Sequence, residues 1–254
     1  MQALAARVRR KAMHGAGRAM ALAGILPGPR FRCPVCGFIG SFPTTYGANA
    51  PRRYCRCPKC GAAERHRLQR LVIERIRDRL PAGARGLQFA PDPMTPVLCG
   101  LCADFITADI MPRQGSIVLD MTRMELPDDA FDLVYASHVL EHIPADRAAI
   151  AQVHRILKPG GIAILPVPIV APKTVEYPPG VTDGDGHVRA PGLDYYDRYR
   201  ERFAEVELVT SAEVDQATQP WIYEDRTIFP NATATCRPAM PGERHLDAVP
   251  ICRK

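Results

Sequence analysis

The chain has 254 residues, of which 46% are apolar, and its formal net charge at neutral pH is +6. This length fits one large domain or two smaller ones with a substantial core, and the sequence contains no apolar run long enough to cross a bilayer. The charge is uneven, because residues 1–85 hold 18 of the 33 Lys and Arg but only three of the 27 Asp and Glu. This asymmetry predicts either a partner that carries phosphate, anionic lipid or acidic side chains, or docking of the basic part on the acidic remainder.

The nine cysteines are irregularly placed, which does not fit the disulfide framework of a small secreted domain. Their paired spacing fits metal-bound thiolates in a reducing compartment. The N-terminus is rich in Arg and shows no secretory cleavage site, which argues against a signal peptide and leaves an organelle transit peptide as an alternative. We expect a cytoplasmic protein without a transmembrane segment.

The first region in chain order is a basic N-terminal segment, residues 1–30. Leu4, Val8 and Leu22 fall at helical spacing, whereas Gly15 and other glycines weaken a helix. We expect a partly ordered basic helix that lies on a membrane surface or packs on the body of the protein.

Residues 31–62 carry two cysteine knuckles, CPVCG from Cys33 and CPKCG from Cys57. Each knuckle places two thiolates on a tight turn, and four converging thiolates select zinc in a closed, structural site. The predicted zinc ligands are Cys33, Cys36, Cys57 and Cys60. Cys55 is a competing ligand, but it does not reproduce the spacing of the first knuckle.

A connecting helix is predicted over residues 63–82, with Leu68, Val72 and Ile76 inward and its arginines, Arg67 among them, mostly outward. A strand follows from Gly86 to Ala90. Further along, Cys99 and Cys102 form a third C-x-x-C inside a predicted helix. We interpret these two as buried small side chains, with a metal or redox role as the alternative.

The stretch from Ser116 to Val167 alternates strands and helices. Short apolar runs at Ile117–Leu119 and Leu133–Tyr135 predict strands that end at Asp120 and at Ser137-His138, and a helix starts at Pro144. Leu157 is the last apolar position at helical spacing, and we expect Gly160-Gly161 to end the helix. The apolar stretch 162–167 is the next predicted strand. This pattern predicts a doubly wound parallel sheet that binds ligands beyond the carboxyl ends of its strands.

The segments FDLVYASHVLEHI and RILKPGG resemble the type 11 branch of the class I S-adenosylmethionine-dependent methyltransferases. The resemblance covers residues 83–254, and it implies a Rossmann-like methyltransferase domain there. The two knuckles and the following helix resemble the N-terminal extension of some bacterial members of this branch. The expected architecture is therefore α/β, with the methyltransferase domain preceded by a zinc ribbon and a basic helix.

The resemblance implies S-adenosylmethionine as a cofactor and assigns its binding residues by position. Asp109, at the end of the second strand, would hold the ribose hydroxyls, at the distance that Rossmann-like folds use. Asp120, with Met121 beside it, would hold the adenine. The first strand ends in Phe89, Ala90 and Pro91, where the family has glycines. The complete predicted set is Phe89, Ala90, Pro91, Asp109, Asp120, Met121, Ser137 and His138.

Methyl transfer requires alignment of the acceptor and exclusion of water, and a general base only for a protonated acceptor. His138 follows a strand at the predicted pocket mouth and is the best-placed base, whereas Glu141 and His142 more often orient the loop. The segment DGHVR looks like a recurring element of the extended family, which places His187 and Arg189 at the acceptor. We therefore predict His138, His187 and Arg189 as the catalytic residues.

Three functions are compatible with the sequence. The first is a methyltransferase with a small-molecule or sugar acceptor. The second is an RNA methyltransferase in which residues 1–85 grip phosphate. The third is a catalytically silent binding protein, suggested by the proline in the first-strand turn. The sequence leaves the oligomeric state open.

Overall fold

The computed structural model describes residues 2–46, 50–227 and 237–254. Its α-helices are α1 (Gln2–Leu22), α2 (Glu64–Ile76), α3 (Thr95–Cys99), α4 (Asp146–Ile156) and α5 (Asp197–Arg200). Its strands are β1 (Phe31–Arg32), β2 (Ile39–Gly40), β3 (Thr45–Tyr46), β4 (Pro51–Arg53), β5 (Arg85–Phe89), β6 (Asp104–Asp109), β7 (Ile117–Val118), β8 (Phe131–Ala136), β9 (Leu157–Ile164), β10 (Val175–Glu176), β11 (Arg189–Ala190), β12 (Glu205–Thr210), β13 (Tyr223–Glu224) and β14 (Ala248–Arg253). None of the described helices combines the length and apolarity that a bilayer crossing requires.

The chain divides into two compact units, each assembled from separate stretches. The described residues of the first unit lie within 1–71, 211–231 and 239–247, and those of the second within 72–210, 232–238 and 248–254. The resemblance implies one continuous domain over residues 83–254, whereas β13 pairs with β4 inside the first unit. A pairing between strands so far apart in the chain leaves no local sequence pattern.

A buried arginine organises the first unit. Arg67 has no exposed surface, and its guanidinium donates hydrogen bonds to the carbonyls of Cys55, Ala62 and Gln219 over 2.7–3.1 Å. The expectation that this arginine points outward is therefore wrong. Helical spacing indicates which residues share a face, but the charge of Arg67 is compensated by carbonyls from distant parts of the chain.

The second unit contains a seven-stranded sheet in the order β12-β14-β9-β8-β5-β6-β7. The strands from β7 to β9 in this order are mutually parallel, and β14 runs antiparallel to both of its neighbours. The predicted parallel α/β sheet is confirmed. The chain leaves β5 on one side to reach β6 and returns on the other side as β8, so the strand order reverses at β5. Ligands bind at the carboxyl ends of the strands at such a reversal.

Several predicted boundaries shift. Helix α1 continues through the glycines that were expected to weaken it. Helix α4 begins at Asp146 and ends at Ile156, not at the Gly160-Gly161 pair. Those glycines lie within β9, where Gly160 adopts a φ of 77° and donates its N–H to the Lys254 carbonyl. A Gly-Gly pair permits either a helix end or an irregular strand. Here the pairing of β9 with β8 makes it part of an irregular strand.

The core of the second unit includes three tyrosines. Tyr195, Tyr196 and Tyr199 have no exposed surface, and each hydroxyl donates a hydrogen bond inside the protein. Cys99 ends α3 and is exposed, and Cys102 follows the helix and is half-buried, so the interpretation of both as buried side chains is wrong. Among the described residues, neither cysteine belongs to a candidate metal-binding cluster.

Candidate active site

A cavity of about 730 Å³ opens at the carboxyl edge of the sheet. Its wall is formed by the ends of β5 and β6 and by the segments that follow β7 and β8. The lining residues are Phe89, Ala90, Asp109, Ile110, Leu119, Asp120, Met121, Thr122, His138, Val139, His142, Ile143, Pro144 and Ala145. Six of the predicted site residues are therefore brought together, namely Phe89, Ala90, Asp109, Asp120, Met121 and His138.

Two residues at the reversal of strand order have left-handed backbone conformations. Ala90, directly after β5, has a φ of 47°, and His138, two residues after β8, has a φ of 56°. The Ala90 N–H donates to the Ala108 carbonyl and the His138 N–H donates to the Pro166 carbonyl, both over 2.9 Å. Residues other than glycine rarely adopt this conformation, and where they do, the strain is often found at functional sites.

Asp92 stabilises the proline-containing turn after β5. Its Oδ1 accepts hydrogen bonds from the Met94 N–H at 2.8 Å and from the Gln88 side chain at 3.0 Å, and its Oδ2 accepts one from the Tyr135 hydroxyl at 3.2 Å. Phe89 packs into the core with 2% of its surface exposed. The turn therefore folds around Asp92 without blocking the cavity.

The two aspartates beyond β6 and β7 each order a short turn. Asp109 accepts the Met111 N–H over 2.8 Å. Asp120 accepts both the N–H and the hydroxyl of Thr122 over 2.7 Å, and these hydrogen bonds lower the pKa of Asp120 below its usual value. In each carboxylate these bonds engage Oδ1, so that Oδ2 can accept a hydrogen bond from a ligand.

A buried glutamate beside the cavity faces three imidazoles. Glu141 has no exposed surface, and its Oε1 lies 3.5 Å from His138 Nδ1, 4.0 Å from His142 Nε2 and 3.9 Å from His187 Nε2. Burial lowers the pKa of His187, and Asp183, 2.9 Å from its Nδ1, opposes that effect. From its sequence position, Glu141 is interpreted only as a loop-orienting residue. Its contact with His187 depends on the fold, because the DGHVR segment that carries His187 packs beside it only in the tertiary structure.

The other predicted site residues do not line the cavity, namely Pro91, Ser137, His187 and Arg189. Pro91 is half-buried beside the turn and Ser137 is buried. Arg189 is 2% exposed and donates to the Leu140 and Ile143 carbonyls over 2.8 Å and to Glu176 over 3.0 Å. Its role at the acceptor stays a prediction, and in the structure its guanidinium has a positioning role, because it holds the loop after β8.

The four predicted zinc ligands converge in the first unit. The Sγ atoms of Cys33 and Cys60 are 3.7 Å apart, and those of Cys36 and Cys57 are 3.6 Å apart. Sulfurs at the corners of a zinc tetrahedron with bonds of about 2.3 Å are separated by roughly 3.8 Å, so the spacing fits zinc. The hydrogen bond between Cys33 and Cys57 lowers the pKa of Cys33 to about 5. Cys55 is buried outside this group.

Comparison with known proteins identifies part of the second unit. Residues 97–165 match the family described as "Methyltransferase domain" (Methyltransf_11). This match runs from α3 to the end of β9 and includes Asp109, Asp120 and His138. The match covers about a quarter of the chain, and over these residues the chain is similar to a methyltransferase domain. The strand order of the second unit agrees with a Rossmann-like methyltransferase fold.

Individual relatives of the methyltransferase domain are distant. A sterol 24-C-methyltransferase from Yarrowia lipolytica is 27% identical over 112 residues, which cover 41% of this chain and 29% of that protein. The chain thus spans less than a third of this relative's length.

Two solved structures are also similar to this chain, with low sequence identity. A candidate methyltransferase from Bacillus halodurans is 14% identical over 72% of this chain and 97% of that one, with a TM-score of 0.48. An S-adenosylmethionine-dependent methyltransferase from Mesorhizobium loti is 16% identical over 74% and 98%, with a TM-score of 0.44. At these scores the fold assignment rests on the family match and the strand order.

Proposed function

We propose that this chain is an S-adenosylmethionine-dependent methyltransferase. The observation that carries the proposal is a pair of carboxylates, Asp109 and Asp120, beyond neighbouring strands on the wall of one open cavity in a methyltransferase domain. The cavity volume of about 730 Å³ lies in the range of small-molecule and cofactor sites.

The lining residues suit the parts of the donor. The Oδ2 of Asp109 would accept hydrogen bonds from the ribose hydroxyls. Asp120 would accept one from the adenine amino group, with Met121 against the ring. The amino-acid part of the donor would lie at the strained turn around Ala90.

Methyl transfer is an in-line displacement. A lone pair of the acceptor forms a bond to the methyl carbon while the carbon–sulfur bond breaks, and its electron pair stays on sulfur, which loses its positive charge. The protein aligns the two molecules and excludes water. His138 would take the proton of a hydroxyl acceptor, which is supported by its position in the cavity lining and by the Glu141 carboxylate oxygen 3.5 Å from its Nδ1, which would stabilise the imidazolium.

We propose a small-molecule or sugar acceptor. The segment after β8 contributes four apolar residues to the wall, Val139, Ile143, Pro144 and Ala145. An acceptor with an apolar portion would bury that portion against them. The named sterol methyltransferase is consistent with such an acceptor but covers too little of this chain to identify it.

Calorimetric titration with S-adenosylmethionine tests the donor assignment. We expect saturable binding that Asp109→Ala weakens at least tenfold, because the variant leaves the ribose hydroxyls without an acceptor. Asp104→Ala is the matched control, since Asp104 starts the same strand and forms an exposed pair with Arg85. Wild-type protein that gives no heat and no thermal shift would support the silent binding protein instead.

The cysteine spacing supports a second part of the proposal, a structural zinc ion held by Cys33, Cys36, Cys57 and Cys60. A closed set of four thiolates leaves no position for a substrate, so the ion would contribute folding energy and no chemistry.

RNA is the second candidate acceptor, and a basic hollow beside the cysteines favours it. This hollow has a volume of about 350 Å³, and its lining includes His14, Arg18, Arg56 and Lys59. Phosphate contacts there would make RNA affinity fall steeply as salt rises. Arg56→Ala with Lys59→Ala should flatten that dependence in a filter-binding assay, and an absence of RNA retention at low salt would remove this candidate.

A further inference from the structure

The second unit contains a group of side chains of metal-ligating types, of which only Glu141 enters the proposed mechanism, through its contact with His138. Glu141, His142 and His187, here called the histidine–glutamate cluster, place one ligand atom each within 4.8 Å of the others. The carboxylate is fully buried, His187 is 8% exposed, and His142 lines the cavity. The cluster therefore lies between the protein interior and the cavity.

The far side of each imidazole is held by a hydrogen-bond acceptor. His187 Nδ1 lies 2.9 Å from Asp183 Oδ2, and His142 Nδ1 lies 3.1 Å from the Gly186 carbonyl. A proton on Nδ1 satisfies both contacts, so Nε2 of each ring carries a lone pair. Both Nε2 atoms lie on the side of Glu141 Oε1, at 4.0 and 3.9 Å. Histidines that bind metals are typically oriented in this way by a carboxylate or a carbonyl behind the ring.

We propose that Glu141, His142 and His187 bind a divalent first-row transition metal ion of the zinc class. Two neutral imidazoles and one carboxylate are a donor set that suits such ions and leaves a further coordination position open. Ligand atoms on a tetrahedron with bonds of about 2.0 Å are separated by roughly 3.3 Å. The observed separations of 3.9 and 4.0 Å therefore need to close by a few tenths of an ångström per atom.

The alternative set of Asp183, Asp185 and His187 fits less well. Asp183 Oδ1 accepts the N–H groups of Asp185 and His187 over 3.0 Å, and its Oδ2 faces His187 Nδ1. This carboxylate is committed to shaping the loop and orienting the ring. We therefore place Asp183 behind the metal ligand and not on the metal.

The position of the ion has a consequence for the acceptor. Since His142 lines the cavity, the open coordination position would be reached from it, and a bound ion would polarise an acceptor oxygen there. This consequence rests on the proposed methyltransferase function, whereas metal binding itself does not.

The test counts metal ions in the full-length protein without S-adenosylmethionine. Protein is saturated with Co²⁺, desalted and assayed by elemental analysis, and the visible spectrum is recorded. We expect His142→Ala to bind one ion fewer than the wild type. The lost ion should give only weak d–d bands, without the sulfur-to-cobalt charge-transfer bands of the cysteine site. Asp183→Asn should weaken this ion tenfold to a hundredfold, as expected for a residue behind a ligand.

His142 is chosen because 41% of its side chain is exposed, so its loss should leave the fold intact, as circular dichroism will check. His154→Ala is the matched control, because His154 lies on α4 and packs against Phe203. Equal metal content in wild type and His142→Ala would overturn the proposal. Calorimetry with the methyl donor is scored separately, so failure of donor binding is distinguishable from failure of metal binding.

Discussion

The cysteine cluster (Cys33, Cys36, Cys57 and Cys60) and the histidine–glutamate cluster are both suited to a metal ion, but the chain builds them differently. Each half of the cysteine cluster is a knuckle in which a glycine with positive φ, Gly37 or Gly61, closes a turn over two cysteines. The histidine–glutamate cluster forms only when the loop carrying His187 folds back onto the segment after β8. Glu141 and His142 are adjacent in the chain, but His187 comes from a distant segment, so no single motif contains all three.

This difference shows what a sequence motif reports. A knuckle can be recognised in the sequence because its geometry depends on neighbouring residues. The four-cysteine site then requires only that the two knuckles lie next to each other. The second cluster depends on the buried Arg189, which holds the loop after β8, and on Asp183, which orients one ring. Changes in these supporting residues should therefore affect the two clusters unequally.

The largest expected effect is loss of the cysteine cluster. Cys57→Ser removes one of four thiolates, and we expect loss of bound zinc and cooperative unfolding of the first unit, because structural zinc sites contribute folding free energy outright. The measurement is zinc content together with the thermal melting profile.

Cys55→Ser is the control for that variant. Cys55 is also buried, and burial raises the pKa of its thiol to about 11, which keeps it protonated. The control should retain zinc. Zinc loss in Cys55→Ser but not in Cys57→Ser would show that Cys55, and not Cys57, is the zinc ligand.

An intermediate effect is expected at Arg189. Arg189→Leu removes the donor to the Leu140 and Ile143 carbonyls, and a buried acceptor left without a donor typically costs about 1–3 kcal/mol. Urea unfolding should show this loss. Arg147→Leu breaks an exposed pair with Glu201, and such pairs contribute about 1 kcal/mol or less. Similar losses in both variants would contradict the positioning role.

The smallest effect is expected at Ala90, where φ is 47°. Ala90→Gly removes the cost of a left-handed conformation, and we expect a gain of about 1 kcal/mol in the free energy of unfolding. Ala136→Gly, in β8, should lose a similar amount, because a glycine weakens a strand. Urea unfolding of both variants measures these changes. A lower free energy of unfolding for Ala90→Gly than for the wild type would show that the turn is not strained.

Much of the candidate site was predictable, and the reason is periodicity. Runs of apolar residues mark buried strands, and the polar residue that ends each run lies at the carboxyl edge of a parallel sheet. Asp120 and His138 were located in this way, Asp109 was assigned by the resemblance and its spacing, and the structure brings all three to one cavity. The helix ends were less predictable, since Gly160-Gly161 fits a helix end and an irregular strand equally well.

The sequence by itself determined the order of the strands along the chain, the residues at their ends and the two cysteine knuckles, because each depends on neighbours a few positions apart. The tertiary structure alone decided that Arg67 and Arg189 are buried, that β13 joins β4, and that Glu141 faces three histidines. A buried charge is stable only where carbonyls or opposite charges from distant segments meet it. Those partners are set by packing, which no local pattern records.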